Sequence, residues 1–178
     1  MFKAFFLSLL FSALLFGQNE KDYPFMGVSI STQNIYPELG ESSWEGGISL
    51  TYGQQSLDWR TIFALDYTQN SYLGAHIEVD KILLDDMFGT AKIRPYLGAV
   101  FGYMAYDVDN LNIPLDVILE DSELYEETNG FYYGGSFGFI VYAADNIDID
   151  ISYHYYSVQN LEFLDDLHGA TLAIHYFF

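Results

Sequence analysis

The segment Ile147-Asp148-Ile149-Asp150-Ile151-Ser152-Tyr153-His154-Tyr155 places apolar or aromatic residues at every odd position and polar ones at every even position. A helix, with a period of about 3.6 residues, scatters Asp148, Asp150, Ser152 and His154 around its circumference, whereas a strand collects them on one face. The segment therefore reads as a strand with one apolar and one polar side. The same two-residue period ends the sequence, with Ala170, Leu172, Ile174, Tyr176 and Phe178 on one face and Gly169, Thr171, Ala173, His175 and Phe177 on the other.

Working upstream, the template fits 129–142 (Phe131, Tyr133, Phe137, Phe139, Val141 against Gly134, Ser136, Gly138) and 92–106 (Ile93, Leu97, Ala99, Phe101, Tyr103 against Arg94, Gly98, Gly102). It also fits 71–82 (Leu73, Ala75, Ile77, Val79 against Gly74, His76, Glu78, Asp80) and 58–68 (Trp59, Thr61, Phe63, Leu65, Tyr67 against Arg60, Ala64, Asp66). Two more lie at 44–54 (Trp44, Ile48, Leu50, Tyr52 against Glu45, Gly47, Ser49, Thr51) and 24–33 (Met26, Val28, Ile30 against Gly27, Ser29, Ser31). Eight strands result, each near the roughly 9 to 11 residues that a tilted strand needs to cross a bilayer.

The chain has 178 residues, one domain's worth, and is 51% hydrophobic, which excludes an intrinsically disordered protein. Six Lys and Arg stand against 25 Asp and Glu, a formal charge of -19, so no basic surface exists to hold nucleic acid. The absence of Cys removes disulfides, thiolate metal sites, thiol nucleophiles and lipidated cysteines. Residues 1–17 read as a cleaved signal peptide, with the basic start at Lys3, the apolar run Ala4–Phe16 and a small residue at Gly17 before the polar Gln18. That run is shorter than the roughly 20 residues of a membrane-spanning helix. Residues 18–178 are then the domain, and if it lies in a membrane it does so as a closed barrel, the remaining way to satisfy every backbone group in hydrocarbon.

Periodicity alone leaves two barrels open. A soluble lipocalin-like binder turns its apolar face inward, and an outer-membrane barrel turns it outward. Two features favour the second. The expected links are long at 34–43, 107–128 and 157–167, intermediate at 83–91, and short at 55–57, 69–70 and 143–146, so that three of the four links at one end are long, 69–70 being the exception. Aromatics also mark strand ends, with Trp44, Tyr67, Tyr72, Tyr103, Tyr133 and Tyr155 toward the long links and Tyr52, Trp59, Tyr142, Tyr176 and Phe178 toward the other end, as in the aromatic girdles of membrane barrels.

The ending with Phe178 and the same-face Tyr176, Ile174 and Leu172 resembles the C-terminal sorting and assembly signal of bacterial outer-membrane barrels. Together with Arg94-Pro-Tyr-Leu-Gly-Ala-Val-Phe-Gly-Tyr103 and Asp166–Phe178, the whole pattern is similar to the small eight-stranded outer-membrane β-barrel family of OmpX, Ail, the opacity-type proteins and the OmpA membrane domain. The resemblance implies an eight-stranded antiparallel up-and-down transmembrane β-barrel in the outer membrane of a diderm bacterium. It implies a monomer whose partners are outer-membrane lipid and lipopolysaccharide, the barrel-assembly machinery, which reads Tyr176 and Phe178, and a surface ligand of the loops.

Arg60, Lys92 and Arg94 are expected near the short-turn end of the polar face together with Glu78, Asp80, Asp148 and Asp150. Buried charges without partners are costly, so these seven are expected to pair as a plug in the lumen. An eight-stranded interior is wide enough only for side chains, which leaves no room for a sugar between paired carboxylates. His76, His154 and His175 share inward parity but lie at different depths, which argues for lumen histidines paired with carboxylates over a zinc site. Some barrels of this kind are lipid A deacylases with a Ser and a His near the last strands. Here His154, Ser157 and Glu162 depart from that family's His-x-Ser-Asn spacing, and alternation sends His154 and Ser157 to opposite faces.

The link 107–128 carries eight acids (Asp107, Asp109, Asp116, Glu120, Asp121, Glu123, Glu126, Glu127) and no Lys or Arg. Asn112 and Ile118 stand where a calcium loop needs Gly and Glu, so an EF-hand is excluded. Either a solvated loop or an exposed adhesive or cation-bridged element fits. The expected function is non-enzymatic and without cofactor: membrane integrity or surface interaction through acidic loops. The alternative is a narrow cation-preferring channel lined by Glu45, Asp66, Asp148 and Asp150.

Overall fold

A strand leaves half its backbone groups unpaired on each edge, and eight of them satisfy every edge only when the last closes on the first. The computed structural model describes residues 22–37, 42–69, 72–83, 89–106, 129–161 and 164–178 and has this arrangement. The strands are β1 (Tyr23–Pro37), β2 (Ser43–Gln55), β3 (Trp59–Thr68), β4 (Tyr72–Ile82), β5 (Ile93–Tyr106), β6 (Asn129–Ala144), β7 (Ile147–Gln159) and β8 (Leu164–Phe177). Each pairs antiparallel with the next, and β8 pairs antiparallel with β1, closing the barrel. We call the end holding Tyr23, Phe177 and the β2–β3, β4–β5 and β6–β7 links the lower end.

Which face points inward is decided by burial. Arg60, Asp80, Asp148, Asp150, His154 and His175 are buried in the lumen, while Ile30, Leu50, Leu73, Leu97, Phe137 and Ile174 are exposed on the outer wall. A barrel with its acids inside and its leucines outside is built for hydrocarbon, which overturns the lipocalin-like alternative. The outer band is that of a transmembrane β-barrel.

Two expected long links are much shorter in the structure. β1 continues to Pro37, β7 to Gln159, and β8 begins at Leu164, so the intervals 34–43 and 157–167 shrink to 38–42 and 160–163. Polar residues such as Asn34 and Ser157 read as loop, but ladder pairing uses only backbone: Asn34 faces Trp44 on β2 and His168 on β8, and Ser157 faces Tyr133 on β6 and Asp166 on β8. The β7–β8 turn closes through Asn160, whose φ of 65° lies in the left-handed region that Asn tolerates. The long acidic link 107–128 and residues 1–17 lie outside the described residues.

Two aromatics expected in the girdles belong to the lumen. Tyr72 is buried and donates to Gln33 Oε1 at 2.7 Å, and Tyr142 accepts from Gln55 Nε2 at 2.6 Å. Both sit on the inward parity of their strands, which outweighs their position near a strand end. Tyr72 joins Ile35, Met104, Tyr132, Tyr156 and Leu167 in an apolar layer that fills the upper lumen, and Ile82, Tyr96 and Ile140 pack below. The Tyr132 ring lies against Gly102, where any Cβ would overlap it.

Leu50→Arg, at mid-strand on the outer wall, is expected to cost about 2–4 kcal/mol in folding into lipid vesicles. Denaturant titration of the refolded barrel measures it, with Leu50→Ala as the milder control, and equal midpoints for the two would contradict an outward, lipid-facing Leu50.

Candidate functional site

The lumen site rises from inward positions on β3, β4, β5 and β7. Arg60 on β3 faces Asp80 on β4, its direct register partner, and its Nε donates to Asp80 Oδ2 at 2.7 Å. Its Nη2 crosses the barrel to Asp150 Oδ2 at 2.5 Å. The guanidinium sits 4.6 Å from the Tyr96 ring centroid, and Tyr96 Oη donates to Asp150 Oδ1 at 3.0 Å. One cation thus holds two carboxylates and one aromatic face, all buried inside the barrel. The planar fork of arginine suits this two-sided role in a way that a lysine does not.

Above it lies a second group. His76 Nδ1 is 2.6 Å from Asp66 Oδ2 and 3.1 Å from Tyr132 Oη, which itself donates to Asp66 at 3.2 Å. His76 Nε2 approaches Glu78 at 4.0 Å, and Glu78 also accepts from Ser136 Oγ. At the lower end His175 Nδ1 pairs with Asp148 Oδ1 at 2.7 Å, with the Phe25 ring 4.7 Å away.

The seven residues expected as one network are therefore divided. Arg60, Asp80 and Asp150 form a single cluster. Glu78 lies between this cluster and the His76 group, interacting with Asp80 as well as approaching His76, and Asp148 belongs to His175. Arg94 is buried near the lower end, where its Nη1 donates to the Leu57 carbonyl at 3.0 Å. Lys92 is the correction: it is exposed and precedes β5, because the β4–β5 link extends one residue further than expected and carries Lys92 out of the lumen.

Tyr96 and Tyr132 are the residues that sequence reasoning missed. Both have inward parity, beside Arg94 and Gly134, but aromatic strand residues in such a chain read first as lipid-facing. The three histidines do not converge. His76 and His175 have different carboxylates, and His154 stacks on Tyr156 with centroids 4.7 Å apart. Among the described residues no group of three His, Cys, Asp or Glu is placed to hold a metal. Ser157 is half-buried on the outer wall and His154 is buried in the lumen, so the two cannot cooperate, and Glu162 lies outside the described residues. Tyr176 and Phe178 are exposed on the outer wall at the lower end.

A closed eight-stranded barrel with an apolar outer band and a charged, filled lumen defines the class of small outer-membrane β-barrels. Solved structures of that class match this chain in fold. Neisserial surface protein A gives a TM-score of 0.58 at 17% identity, covering 87% of this chain and 97% of that one. Ail, the attachment invasion locus protein of Yersinia pestis, gives 0.51 at 12% identity over 89% of this chain and 99% of that one. The outer membrane enzyme PagL gives 0.48 at 12% identity over 85% and 98%. No protein-family model matches the chain, and no curated protein matches it in sequence.

Arg60→Met leaves Asp80 and Asp150 buried without their cation, so the barrel is expected to lose about 3–5 kcal/mol. The triple change Arg60→Met, Asp80→Asn, Asp150→Asn removes the unpaired charge and is expected to recover most of that loss. Urea midpoints of the refolded protein compare the two, and a single variant as stable as the parent would show that Asp80 and Asp150 do not depend on Arg60.

Proposed function

We propose that this chain is a non-enzymatic outer-membrane barrel of a diderm bacterium, exported by residues 1–17 and acting at its upper end through surface contacts or membrane integrity. The observation that carries the reading is the state of the lumen. Its carboxylates are engaged by internal partners, Asp66 with His76, Asp148 with His175, and Asp80 and Asp150 with Arg60. The remaining cavity is about 60 Å³, room for a few waters, since each needs roughly 10–15 Å³ of such volume. An apolar layer fills the section above it.

A cation pathway through Glu45, Asp66, Asp148 and Asp150 has little support in this geometry. Glu45, partly exposed at the upper rim, accepts from Ser43 Oγ at 3.5 Å, and Asp66, Asp148 and Asp150 hold internal partners within the lumen. A Ser-His enzyme is opposed by the separation of His154 and Ser157 across the wall of β7. With the lumen filled, interaction falls to the upper end, where the sequence places the eight-acid link 107–128. Loops carried on a rigid scaffold are where binding concentrates in such architectures.

The protein is expected in the outer-membrane fraction, beginning at Gln18, and migrating differently on gels before and after boiling. In planar bilayers it is expected to show no discrete conductance steps. Stable steps that vanish in Asp66→Asn would replace this reading with the channel.

A further inference from the structure

On the outer wall at the upper end of β1, β2, β7 and β8, six side chains form a feature that the lumen does not use. Asn34 is the register partner of both Trp44 and His168 and shares their outward parity. His168 has its ring edge-on to Trp44, with centroids 5.9 Å apart at 89°, and nearly parallel to Tyr155, at 6.4 Å and 14°. Tyr153 Oη meets His168 Nδ1 at 2.8 Å, and Tyr155 Oη donates to Asp166 Oδ2 at 2.8 Å. Trp44 and Tyr155 are 61% and 51% exposed, whereas Asn34 is only 6% exposed and its Oδ1 has no hydrogen-bond partner among the described residues.

A girdle that merely marks the membrane boundary needs amphipathic rings and nothing more. This one also has a carboxylate, an imidazole and a covered amide oxygen that lacks a donor, and an unsatisfied buried acceptor is costly. Exposed aromatic faces beside carboxylate and amide acceptors are the chemistry that receives hydroxyl-rich, ring-shaped groups. A phosphate is disfavoured, because Asp165 and Asp166 lie here and every described Lys and Arg (Arg60, Lys81, Lys92, Arg94) lies toward the lower end.

We propose that Asn34, Trp44, Tyr153, Tyr155, Asp166 and His168 form a binding site for the saccharide headgroup of an outer-leaflet glycolipid. The proposal rests on the membrane placement given above and on no loop. The sugar stacks on the exposed Trp44 and Tyr155 rings and donates hydroxyls to Asp166 and, once the Trp44 side chain swings aside, to Asn34 Oδ1. The acyl chains continue down the apolar band below.

The chain has two tryptophans, so Trp59→Phe leaves Trp44 as the sole reporter inside the site. In the refolded full-length barrel in phosphocholine detergent, added phosphate-free diglycosyl diacylglycerol is expected to shift Trp44 emission saturably, and phosphatidylethanolamine is expected to leave it unchanged. Asn34→Leu and Asp166→Ala, each in the Trp59→Phe background and each checked for a retained boiling-dependent gel shift, are expected to weaken the response about tenfold, the upper range for one hydrogen bond. Equal responses to both lipids, or undiminished binding by both variants, would overturn the site and leave only a girdle. Because the readout requires a folded barrel in micelles, a protein that never folds there refutes the membrane placement instead.

Discussion

The pairing of β8 with β1 governs the rest of this molecule. In hydrocarbon an unpaired backbone group has no water to turn to, so the last strand must meet the first in register from Phe25–Phe177 to Pro37–Leu164. That closure fixes eight strands around a narrow interior and assigns every side chain to the lumen or to the lipid. It also explains why polar stretches at Gln33–Asn34 and Ser157–Gln159 remain strand: their neighbours on both sides continue, and the ladder is carried by backbone.

Closure then sets the electrostatic problem inside. Below the upper rim, the described lumen holds Arg60 and Arg94 against Asp66, Glu78, Asp80, Asp148 and Asp150. Two arginines cannot face five carboxylates one to one, and the structure distributes the acids among an arginine, two histidines, tyrosine hydroxyls and a serine. The tyrosines matter because they fill space and donate at once. Gly102 is what makes room for Tyr132 to reach Asp66, since any side chain there would overlap its ring. With these contacts made, the interior serves as a strut.

A filled strut leaves two surfaces for function, the upper rim and the outer wall. The outer wall is mostly uniform, with leucine, isoleucine, valine and phenylalanine facing lipid. Polar atoms gather at its two edges, where Lys81 pairs with Asp58 beside Trp59 at the lower end and a larger group surrounds His168 at the upper end. Polar groups at the edge of hydrocarbon must be satisfied by one another or by the headgroups beside them, and Asn34 Oδ1 is satisfied by neither protein partner.

The strand count, the two-residue period and the separation into apolar and polar faces are legible in the linear sequence, because each is a local consequence of alternating side chains. The sequence also made the inward parity of Arg60, Glu78, Asp80, Asp148 and Asp150 legible, since parity needs no knowledge of neighbours. Strand ends, the exit of Lys92 from the lumen and the burial of Tyr72 and Tyr142 were decided only by pairing between strands distant in the chain. The same holds for who meets whom: Arg60 reaches Asp150 and Asn34 lies between Trp44 and His168 because register and closure set those neighbours, and no local pattern encodes a register around a ring.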